Sequence, residues 1–303
     1  MEFKLKKEFI EKYQKLTNFY EYSQIINIFS RKAIRINKIK TTISSTKKTL
    51  LEKWILEPIP WIKEGFWIEG LRRDIGNIYE HQLGYIYIQE AASMIPPLVL
   101  EPKKTDIVLD AAASPGSKTT QLATMMKNKG LIIANDVSYL RMLPLCHNLQ
   151  RCGVVNTITT LMDARKITGE FDCILLDAPC SGTGTIRGLA QTSLYVTEHY
   201  SQNLIKTMAG IQKKLILNCY NNLKHNCTMV YSTCSLDPEE DEGVVQFLLD
   251  ETDAKLEKIN LKIKSELNLD YDKNYSSELN KCIKLWPQFY DTEGFFIAKI
   301  KKS

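Results

Sequence analysis

Between residues 105 and 303, short β-branched apolar runs alternate with helical stretches, and few folds satisfy that rhythm. The runs are IVLDAAA (107–113), LIIANDVS (131–138), NTITTLM (156–162), DCILLDAP (172–179) and CTMVYSTCS (227–235). Helical patterns fill 117–127, 139–152, roughly 197–222 and 238–250. Strands recurring with helices between them imply an α/β fold with a parallel sheet, covered by helices on both faces. KCIKLWP (281–287) and FFIAKIKK (295–302), separated by a turn with Asp291 and Gly294, read as an antiparallel hairpin closing the sheet edge.

The first hundred residues have another texture. Lys4 to Ile28 reads as helical, KAIRINKIK (32–40) as an extended basic run, and QEAASMIPPLVLEP (89–102) as a helix stopped by Pro96 and Pro97 and followed by a linker. The expected boundary lies near residue 100, giving a basic region over 1–100 and the α/β domain over 101–303. Net charge divides the same way. Of the +5 total, residues 1–104 hold 18 Lys/Arg against 12 Asp/Glu, and residues 105–303 hold 22 against 23. A basic front suggests an acidic partner, nucleic acid first, although a merely solvated basic surface gives the same count. No apolar run is long enough to span a bilayer, and MEFKLKKEFIEKY lacks the apolar core of a secretory signal. The expected compartment is therefore the cytoplasm, or a nucleus where the source has one. The eight cysteines include no Cys-x-x-Cys pair and have only four histidines for company. No metal site is expected, and most of the thiols read as small core residues.

Ligands of open α/β sheets bind at the carboxyl ends of the strands. In chain order those ends carry Asp110, Asp136, Asp163 and Asp177. One or two could be helix caps; four in series point to a ligand. An acidic rim repels a nucleotide phosphate. The glycines agree, since Ser114-Pro115-Gly116-Ser117-Lys118-Thr119 lacks the Gly before Lys that a phosphate loop needs, and Gly182 and Gly184 are followed by Arg187 where a dinucleotide motif needs a third Gly. A cationic nucleoside without phosphates suits the rim, and S-adenosylmethionine is one. Asp136 is placed to take its ribose hydroxyls and Asp163 its adenine amine. The turn Pro115–Lys118 brings backbone N–H groups to a carboxylate at a helix start.

Two thiols also fall at strand ends, Cys180 in DAPCSG after the fourth strand and Cys234 in STCSLDPEEDE after the fifth. Neighbouring strands lie about 4.8 Å apart, so both tips can share one pocket. The acids after Cys234 read as a helix start, with Asp237 as cap, Pro238 in the first turn and Glu240 at capping-box spacing. A thiolate, a carboxylate and a methyl donor together suggest methylation at C5 of a pyrimidine. Attack of sulfur on C6 turns the unreactive C5 into an enamine carbon, and a base must then take the C5 proton.

DAAASPGSKTTQLA (110–123), NDVS (135–138), MDAR (162–165), DAPCSGTGTIR (177–187) and STCSLDPEEDE (232–242) resemble the motif series of the NOP/SUN family of RNA cytosine-C5 methyltransferases. The resemblance covers about residues 80–303 and includes QEAASM (89–94) and GFFIAKI (294–300). It implies a Rossmann-like, mostly parallel seven-stranded sheet with an antiparallel C-terminal hairpin, and a small α+β RNA-binding domain in front, with IRINKIK (34–40) as that region's best match. It implies Cys234 as nucleophile on C6, Cys180 in product release, and Asp177 against both cofactor and target base. Cofactor contacts carry over to Ala112, Ala113, Ser114, Pro115, Gly116, Ser117, Lys118, Asp136, Arg141, Asp163 and Asp177; at Ser117 many members have Gly. The arrangement without an appended module resembles archaeal-type tRNA enzymes, which makes tRNA the first expected partner and rRNA the second. Trp61, Trp67, Tyr85 and Tyr87 are candidate base stackers, with core packing as the competing role, and His81 reads as structural. Two other classes stand beside this one. A catalytically silent RNA-binding factor would not need Cys180, Cys234 and Asp177 together. A protein or small-molecule methyltransferase would leave the cysteine pair and the basic front unexplained.

Overall fold

The computed structural model describes residues 5–70 and 74–303. Lys4, where the first helical expectation begins, lies outside them. In chain order the elements are α1 (Lys7–Leu16), α2 (Phe19–Ile26), β1 (Ala33–Ile36), α3 (Ile43–Leu51), β2 (Ile55–Pro58), β3 (Gly65–Glu69), α4 (Tyr79–Gln82), β4 (Ile86–Ile88), α5 (Ile95–Leu100), β5 (Ile107–Asp110), α6 (Ser117–Met125), β6 (Leu131–Asp136), α7 (Tyr139–Arg151), β7 (Thr157–Leu161), β8 (Phe171–Asp177), α8 (Gln191–His199), α9 (Gln202–Asn221), β9 (Leu223–Thr233), α10 (Glu242–Glu251), β10 (Lys255–Glu257), β11 (Ile283–Leu285), α11 (Pro287–Tyr290) and β12 (Phe295–Lys301). They fall into two compact units. The first takes the residues up to Ser30, Ala178–Asn221 and His225–Ser303; the second takes Arg31–Asp177 and Asn222–Lys224. This division by packing differs from the expected functional boundary near residue 100, because the first two helices pack with the C-terminal part of the chain.

The second unit contains two sheets. One is antiparallel, in the order β2-β3-β1-β4. The other is parallel, in the order β8-β5-β6-β7. Strand β5 has a parallel neighbour on either side, with Asp110 opposite Ala134 of β6 and Leu175 of β8. The strand order therefore reverses at β5, and a reversal of this kind opens a crevice at the carboxyl ends. Ala113, Ala134, Leu145 and Leu149 pack α7 onto β6, while Ile34, Ile36, Phe66, Ile68 and Ile86 fill the antiparallel sheet's core.

In the first unit β12 pairs antiparallel with β9, β10 and β11. The expected hairpin of 281–287 with 295–302 is present as β11 and β12, Ile283 opposite Ile297. It does not form the edge, because β12 lies between β9 and β10. Eight strands follow residue 105, one more than the seven expected. The core gathers Phe9, Tyr13 and Leu16 of α1, Tyr22 and Ile26 of α2, and Ile186, Tyr200, Leu236 and Trp286. Phe9, Tyr13 and Leu16 recur at helical spacing, so a single face of α1 is buried.

Three local readings change. The first helix is two, because Asn18 accepts a hydrogen bond from the Glu21 N–H at 3.4 Å and restarts the chain as α2. Pro96 and Pro97 open α5 rather than stop a helix, since a first turn has no use for the N–H that proline lacks. The acidic run does not begin a helix at Pro238. Residues 237–241 form turns, with Glu240 N–H on Asp237 O at 3.0 Å, and α10 starts at Glu242.

Candidate active site

The strand-end aspartates of the second unit differ sharply from one another. Asp110 and Asp136 are 1% and 2% exposed. Asp110 Oδ2 accepts the Thr119 hydroxyl at 2.7 Å, while its Oδ1 has no hydrogen-bond partner among the described residues, and burial pushes its pKa up to about 7. Asp136 Oδ1 accepts the Ser138 N–H at 3.0 Å; its Oδ2 makes no hydrogen bond among the described residues and faces Arg141 Nε at 3.4 Å. Asp177 Oδ2 takes the nearly buried Lys118 ammonium at 2.7 Å, and the same ammonium reaches Ser93 Oγ at 2.8 Å. Asp163 is more exposed and engaged differently. It accepts the Arg165 N–H at 2.9 Å and a forked guanidinium bond, which draws its pKa down to about 2. Here the capping role weighed at the sequence level is the one seen.

The segment Ala112–Lys118 turns tightly from β5 into α6. Ala113 N–H reaches Asn135 O at 2.7 Å, and Gly116 N–H reaches Ala113 O at 2.7 Å. Gly116 has φ +97°, a left-handed conformation that favours glycine, and a Cβ there would press on Leu145 at 3.1 Å. Ser114 and Arg141 clasp each other through Ser114 Oγ on Arg141 O at 2.7 Å and Arg141 Nη2 on Ser114 O at 3.0 Å. Ser117 starts α6 with its carbonyl accepting from Arg35 at 3.3 Å. The Asn148 amide and the Tyr87 hydroxyl both donate to Pro115 O, at 2.9 and 3.2 Å.

In the first unit the two thiols meet. Cys180 Sγ and Cys234 Sγ are 3.2 Å apart and unbonded. Both are partly exposed, whereas Cys152, Cys173, Cys219 and Cys282 are buried as core thiols. The hydrogen bond with Cys234 and burial push the Cys180 thiol well above its ordinary range. Backbone bonds join the two turns, Ala178 N–H on Ser232 O at 2.8 Å and Gly184 N–H on Cys234 O at 2.9 Å. A Cβ on Gly184 would lie 2.8 Å from Cys234 O and 2.3 Å from Gly294 O, so this approach needs glycine.

The acids after Cys234 go inward. Asp237, Glu240, Asp241 and Glu242 are at most 1% exposed. Asp237 accepts from Lys12 Nζ at 2.5 Å, Thr183 Oγ1 at 2.8 Å and Tyr13 Oη at 3.0 Å. Asp241 accepts from Thr233 at 2.6 Å and, with Glu242, holds the buried Lys284 ammonium. Burial works against that ammonium, but the two carboxylates outweigh it and raise its pKa. Glu240 accepts from Ser181 N–H at 2.9 Å, Gln212 Nε2 at 2.8 Å, Ser235 Oγ at 3.0 Å and the Ser181 hydroxyl; burial pushes its pKa up to about 7. Sequence reasoning missed Lys12, Gln212, Lys284 and the inward role of Glu240. The available signal was five acids beside one thiol, more than a helix start needs.

The basic run also makes contacts within the chain. Arg31 pairs with Glu57, Lys38 pairs with Glu64 at 2.9 Å, and Lys40 donates to Leu83 O and Arg151 O at 2.7 and 3.0 Å. Arg35 is 1% exposed and bonds Gln89 and Thr120 at 2.9 and 2.8 Å. Trp67 and Tyr87 are core residues, and Trp61 donates to Ala91 O at 3.0 Å. His81 Nδ1 lies 3.0 Å from Gly76 O, a structural contact. Among the described residues no group of His, Cys, Asp or Glu is placed to hold a metal, and no helix is long and apolar enough to cross a membrane.

Residues 97–301 match the family model described as 16S rRNA methyltransferase RsmB/F, and residues 5–91 match the N-terminal domain of 16S rRNA methyltransferase RsmF. The tRNA (cytosine(49)-C(5))-methyltransferase of Pyrococcus abyssi is 45% identical over 99% of this chain and 97% of its own length. The ribosomal RNA small subunit methyltransferase F of Psychromonas ingrahamii is 43% identical over 90% of this chain, which spans only 57% of that longer protein. A crystal structure of a methyltransferase homolog from Pyrococcus horikoshii superimposes with TM-score 0.88 at 36% identity, covering 99% of this chain and 96% of the other. With a model matching two thirds of its length and a full-length relative at that identity, this chain belongs to the RsmB/F family of methyltransferases.

Proposed function

We propose that this chain methylates C5 of cytosine in RNA, with tRNA as its first substrate, using S-adenosylmethionine. The observation that carries the proposal is the 3.2 Å approach of Cys180 and Cys234 on two turns. Cys234 is the nucleophile. Its sulfur bonds to C6, the C5–C6 π electrons move toward C5 and the ring, and C5 becomes an enamine carbon able to accept a methyl cation equivalent. S-adenosylmethionine supplies that methyl group when bound. Asp177 is assigned to the cofactor and the target base by the family resemblance, and Lys118 holds its carboxylate at 2.7 Å. A base then takes the C5 proton, the C6–S bond breaks, and its electron pair returns to sulfur. Cys180 assists this release.

The residues of the second unit fit the cofactor. Two buried carboxylate oxygens, Asp110 Oδ1 and Asp136 Oδ2, lack hydrogen bonds among the described residues, and buried acceptors of this kind suit a ligand rich in donors and positive charge. Asp136 would take the ribose hydroxyls. The backbone from Ala112 to Lys118 would take the methionine carboxylate, with Arg141 beside it, and Asp163 and Asp177 would complete the set. Residues 1–100 are proposed as the RNA-binding region and 101–303 as the methyltransferase domain, working in the cytoplasm.

Labelled S-adenosylmethionine with transcribed tRNA and, in parallel, rRNA tests the reading, with mapping of the modified base. Label at C5 of tRNA cytosine is expected; label confined to rRNA would move the substrate to the second candidate. Cys234→Ala should reduce transfer to background while cofactor binding persists, and continued transfer by this variant would remove the nucleophile. Cys180→Ala should leave enzyme covalently on RNA as a slow band in a denaturing gel, and no such band would remove the release role.

A further inference from the structure

Building on that reading, we propose that Glu240 is the positioning residue that sets the gap between the two active-site sulfurs, by holding both thiol-bearing turns on one carboxylate. Ser181 follows Cys180, and Ser235 follows Cys234. Glu240 Oε2 accepts the Ser181 N–H at 2.9 Å and Gln212 Nε2 at 2.8 Å; Oε1 accepts the Ser235 hydroxyl at 3.0 Å and the Ser181 hydroxyl. Gln212 Nε2 also donates to Pro179 O at 2.9 Å, so Cys180 is tethered on both sides. The backbone bonds that join the turns, at Ala178 and Gly184, attach two and four residues from Cys180.

Glu240 is 0% exposed, as is Ser235, so water cannot replace a lost acceptor and the carboxylate cannot touch substrate. It acts through the sulfurs. Four donors converge on it, and a carboxylate offers acceptor sites on both oxygens, whereas an amide offers one oxygen and adds two donors. Glu240→Gln is nearly isosteric and still cannot satisfy the set. At least one turn must then shift, and a displacement of about 1 Å can cost about 100-fold in rate.

The test reads the gap directly, using the full chain and phenylarsine oxide. This trivalent arsenical forms two As–S bonds, and the two thiol protons leave with its oxygen as water, so tight capture requires two sulfurs already close together. Capture is followed by mass and by loss of two titratable thiols, with Cys180→Ala as the control that abolishes it. Glu240→Gln is expected to weaken capture by about tenfold or more, and to lower kcat with little change in KM for RNA or S-adenosylmethionine. If Glu240→Gln gives no cooperative melt, Ser181→Ala and Ser235→Ala, which each remove one donor, should move both readouts in the same direction by less. Wild-type capture and turnover in a folded variant would overturn the proposal. So would a fall in turnover with capture unchanged. Capture needs no methylation, so a wild-type chain that captures the arsenical but methylates no RNA would count against the proposed function and not against this role.

Discussion

Both units bury carboxylates, and apart from Asp241, whose Oδ2 has no hydrogen bond among the described residues and faces the Lys284 ammonium at 3.0 Å, the two units supply them with donors differently. In the second unit Asp110 and Asp136 each keep one oxygen without a hydrogen bond at 1–2% exposure. In the first unit Asp237 collects Lys12, Tyr13 and Thr183, and Glu240 collects four donors. An open buried acceptor costs free energy that a ligand can return, whereas a saturated one locks the chain around it. The number of donors supplied thus decides whether a buried carboxylate can serve as a scaffold.

The largest effect should come from opening a saturated site. Asp237→Ala leaves the Lys12 ammonium, 7% exposed, with Glu239 as its remaining carboxylate at 2.7 Å. Removing one partner of a buried pair costs about 3–5 kcal/mol, readable as a lower midpoint in urea. A loss no larger than that of a surface substitution would show that the hub does not hold the turn. Altering an open site should do the reverse. Asp136→Asn is expected to leave the urea midpoint near wild type while weakening S-adenosylmethionine about 10- to 100-fold by calorimetry, the value of a charge-assisted bond. A destabilised variant with unchanged cofactor affinity would erase the contrast.

The smallest effect is in pH. Asp110 and Glu240 both have folded pKa values of about 7, raised by burial from 3.8 and 4.5. A carboxyl whose folded pKa is raised binds its proton more tightly in the native state. Its stabilising share is full below the unfolded value and is lost as pH rises through the folded one. From pH 6 to 8 each group should therefore lower stability by about 1.4 kcal/mol. Asp110→Asn should remove its share of that slope, and urea melts at the two pH values would show it. A variant with the wild-type slope would mean that Asp110 does not titrate in the native chain between pH 6 and 8.

Much of the site was legible because strand ends are local. Alternating apolar runs place Asp110, Asp136 and Asp177 at the ends of β5, β6 and β8 through backbone periodicity alone. Cys180 and Cys234 follow strand ends for the same reason, although their 3.2 Å separation needed the folded chain. What stayed illegible were distant partners. Charge alone does not show that Arg35, Lys38 and Lys40 each bond groups brought in from elsewhere in the chain. Pro96 and Pro97 looked like a stop because proline is excluded from helix interiors, and position within the turn reverses that meaning.

What the amino-acid order determined by itself was the succession of strands and helices, the acidic rim and the two thiols at strand tips, since each follows from interactions within a few residues. What only the tertiary structure decided was the destination of the charges. Lys12 reaches Asp237 across 225 residues of chain, and Gln212 and Ser181 reach Glu240 across 28 and 59. Burial makes a charge costly unless a donor is brought to it, and no local pattern states which distant donor will arrive.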